Sequence, residues 1–385
     1  GGVFSVIVLC IAAPMLARVA YEFRPPEYFA LAIFGLSMLA SISQGGTVRN
    51  LIGGVFGVWL ATIGAEPTTG IERFMFGNYE LYEGLGFVPV FIGIFAISEL
   101  LMQSEMVNQV IETIRLKAVK LPSRDDYKRI WKTVARSCGI GTFIGILPAE
   151  GATIASMIGY AEARRWSKNK EEFGKGAIEG IAGAEAANNA ATGGAMVPML
   201  TLGIPGSGTT AILLGALLMF NIQPGPMMFA QRPEVAWGLV ASMYIGNVAL
   251  LIINLPLVGL FARMLTIPQH YLTPLIAILA FIGIYTIVGN PHDLFMITGL
   301  GIFGWFLRKL DFSLAPVILG FVLGGLFEDN LRRALSISGG DWSILVTSFN
   351  SVILYALALL VVVVPILVGR MRRGRSEGES PQAPS

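Results

Sequence analysis

Long apolar stretches constrain this chain more than any other feature of its sequence. Residues 236–261 and 345–369 contain no Asp, Glu, Lys or Arg, and about 20 apolar residues suffice for a helix to cross a bilayer. The whole chain is 14% charged, against roughly 25% in soluble domains. The sequence therefore predicts an all-α polytopic membrane protein with about 10 transmembrane helices. The predicted crossings are 3–20, 27–43, 48–64, 86–103, one within 178–220, 236–261, 272–289, 294–307, 313–327 and 345–369.

Basic residues predict which side of the membrane each connector faces. Lys and Arg concentrate in the connectors 104–136 and 163–176 and in the tail that starts at Arg370, and such segments stay in the cytoplasm. Counting crossings back from a cytoplasmic C-terminus leaves one crossing for 178–220, which is too long for one straight helix. The segment 138–162 then enters and leaves on the same side as a re-entrant hairpin. The alternative is an ordinary span that violates the charge rule.

Two apolar segments are interrupted in the same way, by "LPAEGAT" (147–153) and "LGIPGSGTT" (202–210). In transporters, interrupted segments of this kind indicate the binding site, because a helix start presents free N–H groups to an anion. No Lys or Arg lies in the middle of a predicted span, so no basic side chain is available there to bind an anion in place of these N–H groups. The predicted substrate-binding residues are Pro148, Gly151, Ala152, Thr153, Asn188, Gly203, Pro205, Gly206, Ser207, Thr209 and Thr210. The alternative is that the glycines only pack helices, which accounts well for 52–57 and 322–325.

A coupling ion requires oxygen ligands, and the predicted ion-binding residues are Asn189, Thr201 and Glu150. Asn188 and Asn189 lie in an Ala- and Gly-rich segment, where amides coordinate cations or, as an alternative, bond across helices. Intramembrane carboxylates are functional candidates, so Glu150 at the hairpin tip binds a cation or carries a proton. The alternative is that Glu150 is a hydrated residue at the membrane interface.

Catalytic chemistry lacks its usual residues in this sequence. Both histidines, His270 and His292, fall in short connectors, and none of the six aspartates is central in a predicted span. An intramembrane enzyme is therefore disfavoured, and we expect no catalytic residue, no bound metal and no nucleic-acid partner. The two cysteines, Cys10 and Cys138, form neither metal-ligand spacing nor a disulfide framework.

Residues 141–226, including "GAEAANNAATGGAMVPMLTLGIPGSGTT", closely resemble the second-half signature of the large membrane subunit of tripartite tricarboxylate transporters, the TctA family. The resemblance implies an inverted-repeat secondary transporter of the bacterial inner membrane, with Na⁺ or H⁺ as coupling ion and no other cofactor. It implies a small four-helix membrane subunit and a periplasmic solute-binding protein as partners, and carboxylates such as citrate as substrates. It also implies that the two interrupted segments line the substrate and ion sites.

The sequence departs from the family pattern at two points. The first repeat is absent, so the chain is expected to be the second half of the transporter, and a non-transporting fragment or partner subunit is the alternative function. At the hairpin tip, Ala149 replaces a glycine and Glu150 precedes Gly151. The predicted regions are 1–136 (transmembrane helices and basic connector), 137–226 (hairpin and broken helix), 227–369 (transmembrane helices) and 370–385 (disordered cytoplasmic tail).

Overall fold

The computed structural model describes residues 1–42, 46–66, 69–105, 122–147, 151–264, 267, 269–288 and 291–378, and it is almost entirely helical. The α-helices are α1 (Gly2–Ala20), α2 (Pro25–Ile42), α3 (Thr47–Ala61), α4 (Phe87–Phe91), α5 (Ser98–Glu105), α6 (Arg124–Ile146), α7 (Gly151–Trp166), α8 (Ile178–Leu202), α9 (Gly208–Met219), α10 (Pro226–Gln231), α11 (Pro233–Met264), α12 (Gln269–Val288), α13 (Pro291–Lys309), α14 (Leu314–Ile337) and α15 (Phe349–Gly378). Two short strands, β1 (Gly64–Ala65) and β2 (Glu72–Arg73), pair antiparallel.

The helices confirm the predicted all-α polytopic membrane class. Within the described residues, four helices are long and apolar enough to cross a bilayer: Gly2–Ala20, Phe87–Glu105, Pro233–Phe261 and Leu314–Ile337. Shorter apolar helices cover Thr47–Ala61, Gly208–Met219, Tyr271–Gly283 and Phe349–Val364. Helix α15 runs to Gly378, so it includes the first residues of the segment predicted as a tail, and 379–385 lie outside the described residues.

The chain divides into two compact units, of which the first comprises Gly1–Glu22 and Asn78–Leu310. Its central helix, α8, is rich in Ala and Gly. Gly141 and Gly145 of α6 lie against the carbonyl oxygens of Ala187 and Ala191, so α6 and α8 run parallel. A side chain at either glycine would collide with that backbone. Small residues spaced four apart allow this approach, as is common between helices in membranes.

Helix α7 returns antiparallel to α8 along a neighbouring face. Its Gly159 packs against Gly183, and its Ala155 clusters with Ala187 and Ala191. Helices α6 and α7 therefore form a hairpin whose two ends lie beside the start of α8, as expected for the predicted re-entrant segment. The arms are longer than the predicted 138–162, because α6 begins at Arg124 with a Ser123–Asp126 capping box.

Ion pairs hold the base of the hairpin to α8. Arg129 on α6 lies 2.6 Å from Glu172 and 3.3 Å from Glu179 in the first turn of α8, and Ser167 after α7 also donates to Glu179 at 2.5 Å. These contacts raise the pKa of the Arg129 guanidinium, through hydrogen bonds to Glu179 and then Glu172. The three helix ends are thus joined on the side that the basic connectors predict to be cytoplasmic.

Helix 87–105 of the same unit combines α4, a π-helical segment at Ile92–Ile97, and α5. It packs on α13 through Gly93, Gly301 and Gly304, each of which leaves no room for a side chain. Ion pairs Glu99–Arg308 and Glu105–Lys309 join the ends of the two helices. Glu99 is therefore fixed to a neighbouring helix.

The second unit comprises Phe23–Gly77 and Asp311–Ser385. Its helices α3 and α14 run parallel, with Gly57 against Val317 and Phe321 and, further along both helices, Ala61 against Gly324. These contacts confirm that the glycines at 52–57 serve helix packing. Beside the β1–β2 ribbon, Glu66 is 2% exposed, accepts from the Thr69 amide at 2.5 Å and lies 3.6 Å from Arg332.

Candidate functional site

The second interruption separates α8 from α9. Helix α8 ends at Gly203, which has a left-handed φ of 71° and donates its N–H to the Met199 carbonyl at 3.1 Å. A glycine takes this conformation without the strain that a β-carbon would cause. Pro205 follows, and α9 begins at Gly208 with Ser207 as its N-cap. The helix is broken here by Gly203 and restarted by Ser207.

Ser207 and Thr210 form a reciprocal capping box. The Thr210 N–H donates to Ser207 Oγ at 3.3 Å, and the Ser207 N–H donates to Thr210 Oγ1 at 2.8 Å. Capping-box residues satisfy two of the donors that a helix start leaves free. Both hydroxyl groups are therefore engaged in restarting the helix.

Two N–H groups at this helix start have no hydrogen-bond partner among the described residues, those of Gly208 and Thr209. Thr209 is exposed, and a β-carbon added at Gly208 would meet nothing within 4 Å. Residues 186–231 carry no charged side chain. The first turn of α9 thus offers open backbone donors and the positive end of the helix dipole to an anion.

The other predicted residues of this segment lie on its packed side. A β-carbon at Gly206 would lie 2.9 Å from the Cα of Ala195 on α8, and one at Gly203 would lie 2.9 Å from the carbonyl oxygen of Pro224. Pro205 is buried. Thr201 is fully buried and donates to the Val197 carbonyl at 2.7 Å. These packed residues therefore fix the backbone conformation of the interruption.

The first interruption lies at the tip of the hairpin. Pro148, Ala149 and Glu150 fall outside the described residues, and α7 starts directly after them at Gly151. Gly151 is buried, with an added β-carbon 3.2 Å from the Cα of Gly145. Ala152 packs on the alanine cluster of α8, and Thr153 is exposed. The start of α7 is thus close to the end of α6.

Both interruptions contact the same turn of α8. Gly145, beside the start of α7, lies 3.0 Å from the position of a β-carbon on Gly194, and Gly206 packs on the next residue, Ala195. The helix starts at Gly151 and Gly208 are therefore at one level along α8. That both helix starts serve one binding site stays a prediction.

The asparagine pair lies about two turns earlier on α8. Asn188 is half-buried, and it shares a side of the helix with Ala195, seven residues on. Asn189 is exposed and donates its side-chain N–H to the Glu185 carbonyl at 2.9 Å. Asn188 thus lies on the side where Gly206 packs, whereas Asn189 lies beside Gly1, the residue before α1, where an added β-carbon would lie 2.9 Å from Asn189 Cβ.

Comparison with known proteins identifies the family. Residues 1–319 match the Tripartite tricarboxylate transporter TctA family. The chain belongs to the TctA family. It is 43% identical over 368 residues to the uncharacterized 52.8 kDa protein in the TAR-I ttuC′ 3′ region of Agrobacterium vitis, covering 95% of this chain and 73% of that protein.

A second Agrobacterium vitis protein, the uncharacterized protein in the TAR-II ttuC′ 3′ region, is 46% identical over 227 residues. The match covers 59% of this chain and 94% of that protein. No solved structure matches the chain. As a TctA-family protein with several apolar helices, the chain is a multi-pass membrane component of a tripartite transporter complex.

Within this TctA-family chain, sequence reasoning missed three residues that the structure places beside predicted site residues. Gly208 was omitted, although it is the glycine with open space beside a free N–H. Asn247 and Asn254 on α11 line a cavity together with Asn189. Their signal was available, because both are polar amides within the uncharged stretch 236–261.

Proposed function

We propose that this chain is the membrane subunit of a binding-protein-dependent secondary transporter that imports carboxylates by symport with Na⁺ or H⁺. The substrate class comprises tricarboxylates such as citrate and related di- or monocarboxylates. Its membership of the TctA family supports the transporter role. The finer assignment depends on the geometry of the two interrupted segments.

The observation that carries the proposal is the pair of free N–H groups at Gly208 and Thr209. A helix start carries about half a positive charge, which attracts an anion. Because residues 186–231 hold no charge, the backbone is the available source of positive potential along this stretch. A carboxylate there would be held by directed donors without the strong binding that an arginine fork gives.

The start of α7 is a second donor group at the same level. We propose that Gly151 and Thr153 contribute backbone N–H groups to a substrate that bridges the two interruptions. A di- or tricarboxylate has a carboxylate for each helix start, which makes multiply charged substrates the best fit. Glu150 would then approach an anion directly unless it is protonated or neutralised by the coupling cation.

The partners and location follow from the family and from the charge pattern. We propose a small four-helix membrane subunit and a periplasmic solute-binding protein as partners, in the bacterial inner membrane. The Arg129 cluster and the basic connectors would face the cytoplasm, together with the C-terminus. The acidic loop with Glu72, Glu80 and Glu83 would then face the periplasm.

Uptake by Gly208→Val tests this function in the full-length protein with its partner subunits. The added side chain has open space, so the fold is retained while the approach to the free N–H groups is blocked. We expect uptake of labelled citrate or of a dicarboxylate to fall at least about tenfold at equal abundance. Gly299→Val on α13, also an open position, is the matched control. Wild-type uptake by Gly208→Val would refute the assignment.

A further inference from the structure

Helix α6 has an outer face that lies opposite to Gly141 and Gly145, the two glycines that pack on α8. Four residues share this outer face at intervals of four, three and four residues: Lys132, Arg136, Gly139 and Phe143. A β-carbon added at Gly139 would meet nothing within 4 Å, and Phe143 is 67% exposed. Residues 137–147 carry no charge. The face therefore changes from cationic to open and apolar in the direction of the hairpin tip.

Each of the two cations on this face lies over a tryptophan ring. Lys132 Nζ is 5.6 Å from the ring centroid of Trp131, and Arg136 Cζ is 5.3 Å from that of Trp166, the last residue of α7. Both rings are more than half exposed. An aromatic ring attracts a cation placed over its face, and a stacked guanidinium keeps the N–H donors along its edge available. The rings thus position the two cations without using up their donors.

Neither cation has a carboxylate partner among the residues that the structure describes. Lys309 on α13 shows the contrasting case, because it also lies over a tryptophan, 5.5 Å from the ring centroid of Trp305, but forms an ion pair with Glu105. The same kind of cation–tryptophan pair is therefore neutralised on α13 and left charged on α6.

One carboxylate, Glu162, lies at the α7 end of this region. It accepts a hydrogen bond from Trp166 Nε1 at 3.0 Å and lies 4.0 Å from Arg165. Its charge is thus offset by a third cation, and Lys132 and Arg136 leave the region with a net positive charge. Such a region attracts an anion that also has an apolar part, because an exposed apolar stretch of α6 continues directly from the cations.

We propose that this surface binds an anionic phospholipid of the cytoplasmic leaflet, and we call it the α6–α7 surface. It comprises Trp131, Lys132, Arg136, Gly139, Phe143 and Trp166. The phosphate would lie between Lys132 and Arg136, and an acyl chain would follow Gly139 and Phe143. Tryptophan and basic residues are typical of the membrane–water interface, and basic sites beside membrane helices bind anionic headgroups. The proposal rests on the proposed cytoplasmic side of the hairpin base and goes beyond the transport function.

The dimensions of the α6–α7 surface fit a phospholipid better than a soluble anion. Lys132 and Arg136 are one helical turn apart, so both can reach one phosphate group. From Arg136 to Phe143 the helix rises about 10 Å, which lies within one leaflet of a hydrocarbon core of about 30 Å. A soluble anion would use the two cations and leave Phe143 in contact with water. A lipid uses both parts of the surface.

Lipid binding by the purified full-length protein tests the proposal. Native mass spectrometry measures the Kd for phosphatidylglycerol and for phosphatidylcholine with the same acyl chains. We expect phosphatidylglycerol to bind the wild type at least about tenfold more tightly, because a basic residue near anionic lipid contributes about 1 kcal/mol. The double variant Lys132→Gln and Arg136→Gln should raise the Kd for phosphatidylglycerol about tenfold or more. Lys132→Gln alone should raise it about fivefold, and it serves if the double variant does not fold.

Two further double variants separate the site from charge in general. Arg49→Gln with Lys309→Gln also removes two cations, each of which pairs with a carboxylate, so its Kd for phosphatidylglycerol should equal that of the wild type. Lys132→Arg with Arg136→Lys keeps both charges and should stay within about threefold of the wild type. A loss of affinity in this conservative variant equal to that of the glutamine variant would contradict recognition by charge.

The outcomes distinguish a lipid from other occupants of the α6–α7 surface. Equal Kd values for the two lipids, or an unchanged Kd in the glutamine variant, would overturn the proposal. Displacement of phosphatidylglycerol by an equal concentration of glycerol phosphate would show a site for a soluble anion instead. Loss of the small membrane subunit from the purified glutamine variant, with lipid affinity unchanged, would assign the surface to that subunit. Because binding is measured without transport, a failure of carboxylate uptake in the wild type would refute the proposed function and leave the lipid site standing.

Discussion

The α3–α14 pair and the α8–α9 interruption are both rich in glycine, yet their glycines have different roles. In α3 and α14 the helices are continuous, and Gly54 and Gly57 bring one backbone onto another. In the interruption, Gly203 and Gly206 fulfil that packing role, whereas Gly208 faces open space beside a free N–H. What separates the two regions is the sequence around the glycines. Pro316 lies in the first turn of α14 and does not interrupt it, whereas Pro205 falls between two helices and is followed by the Ser207–Thr210 capping pair.

The largest effect should come from filling a packed glycine, either in α3 or in the α6 arm of the hairpin. Gly57→Val and Gly145→Val each force a side chain into a neighbouring backbone. Overpacking of this kind costs typically about 1–3 kcal/mol, and rigid backbone contacts place these two at the upper end. We expect little folded protein in the membrane for both, measured by size-exclusion chromatography of a fluorescent fusion.

Open glycines in the same units provide the controls for that experiment. Gly325→Val on α14 and Gly139→Val on α6 add side chains where nothing lies within 4 Å. Both variants should accumulate like the wild type. Equal loss of folded protein in packed and open positions would remove the distinction between the two kinds of glycine.

The next effect separates capping from anion binding at Ser207. Asp is as good an N-cap as Ser, so Ser207→Asp should preserve the start of α9. Its carboxylate, however, would occupy the free N–H groups and repel an anionic substrate. We expect a normal Tm with uptake of citrate and dicarboxylates reduced about tenfold or more, and Ser207→Thr as control near wild type. Full uptake by Ser207→Asp would exclude anion binding at this helix start.

The smallest effect concerns the ion pairs at the base of the hairpin. Arg129→Ala removes a partly buried side chain that pairs with both Glu172 and Glu179, and it should lower the stability by about 1 kcal/mol. Lys128→Ala removes only an exposed pair with Asp125 and should change it by less than about 0.5 kcal/mol. Indistinguishable Tm values would show that the base does not contribute to holding the hairpin.

The sequence predicted the class of fold and the positions of the two interruptions, because long apolar runs, Pro–Gly breaks and basic connectors are local signals. It placed the hairpin turn at residues 148–151, and in the structure α6 ends at Ile146 and α7 begins at Gly151. It also assigned 52–57 to helix packing, as Gly54 and Gly57 confirm.

The division of roles within the second interruption could not be predicted from the sequence. Whether a glycine faces a helix or open space depends on the neighbour that packs against it, and Ala195 is eleven residues before Gly206. The capping bonds of Ser207 and Thr210 likewise became visible only with the helix start in place. Asn247 could have been singled out from the sequence, because a polar amide in an uncharged membrane helix is itself a functional candidate.

The contact of both interruptions with one turn of α8 has a mechanical consequence. Gly194 and Ala195 are consecutive residues, so they point about 100° apart around the helix axis, and each is in contact with a different interruption. A rotation or slide of α8 by a single residue would dislodge the hairpin and the start of α9 at the same time. If the proposed transport function holds, these three elements would move together, and access to the site from either side of the membrane would require other helices to move relative to them.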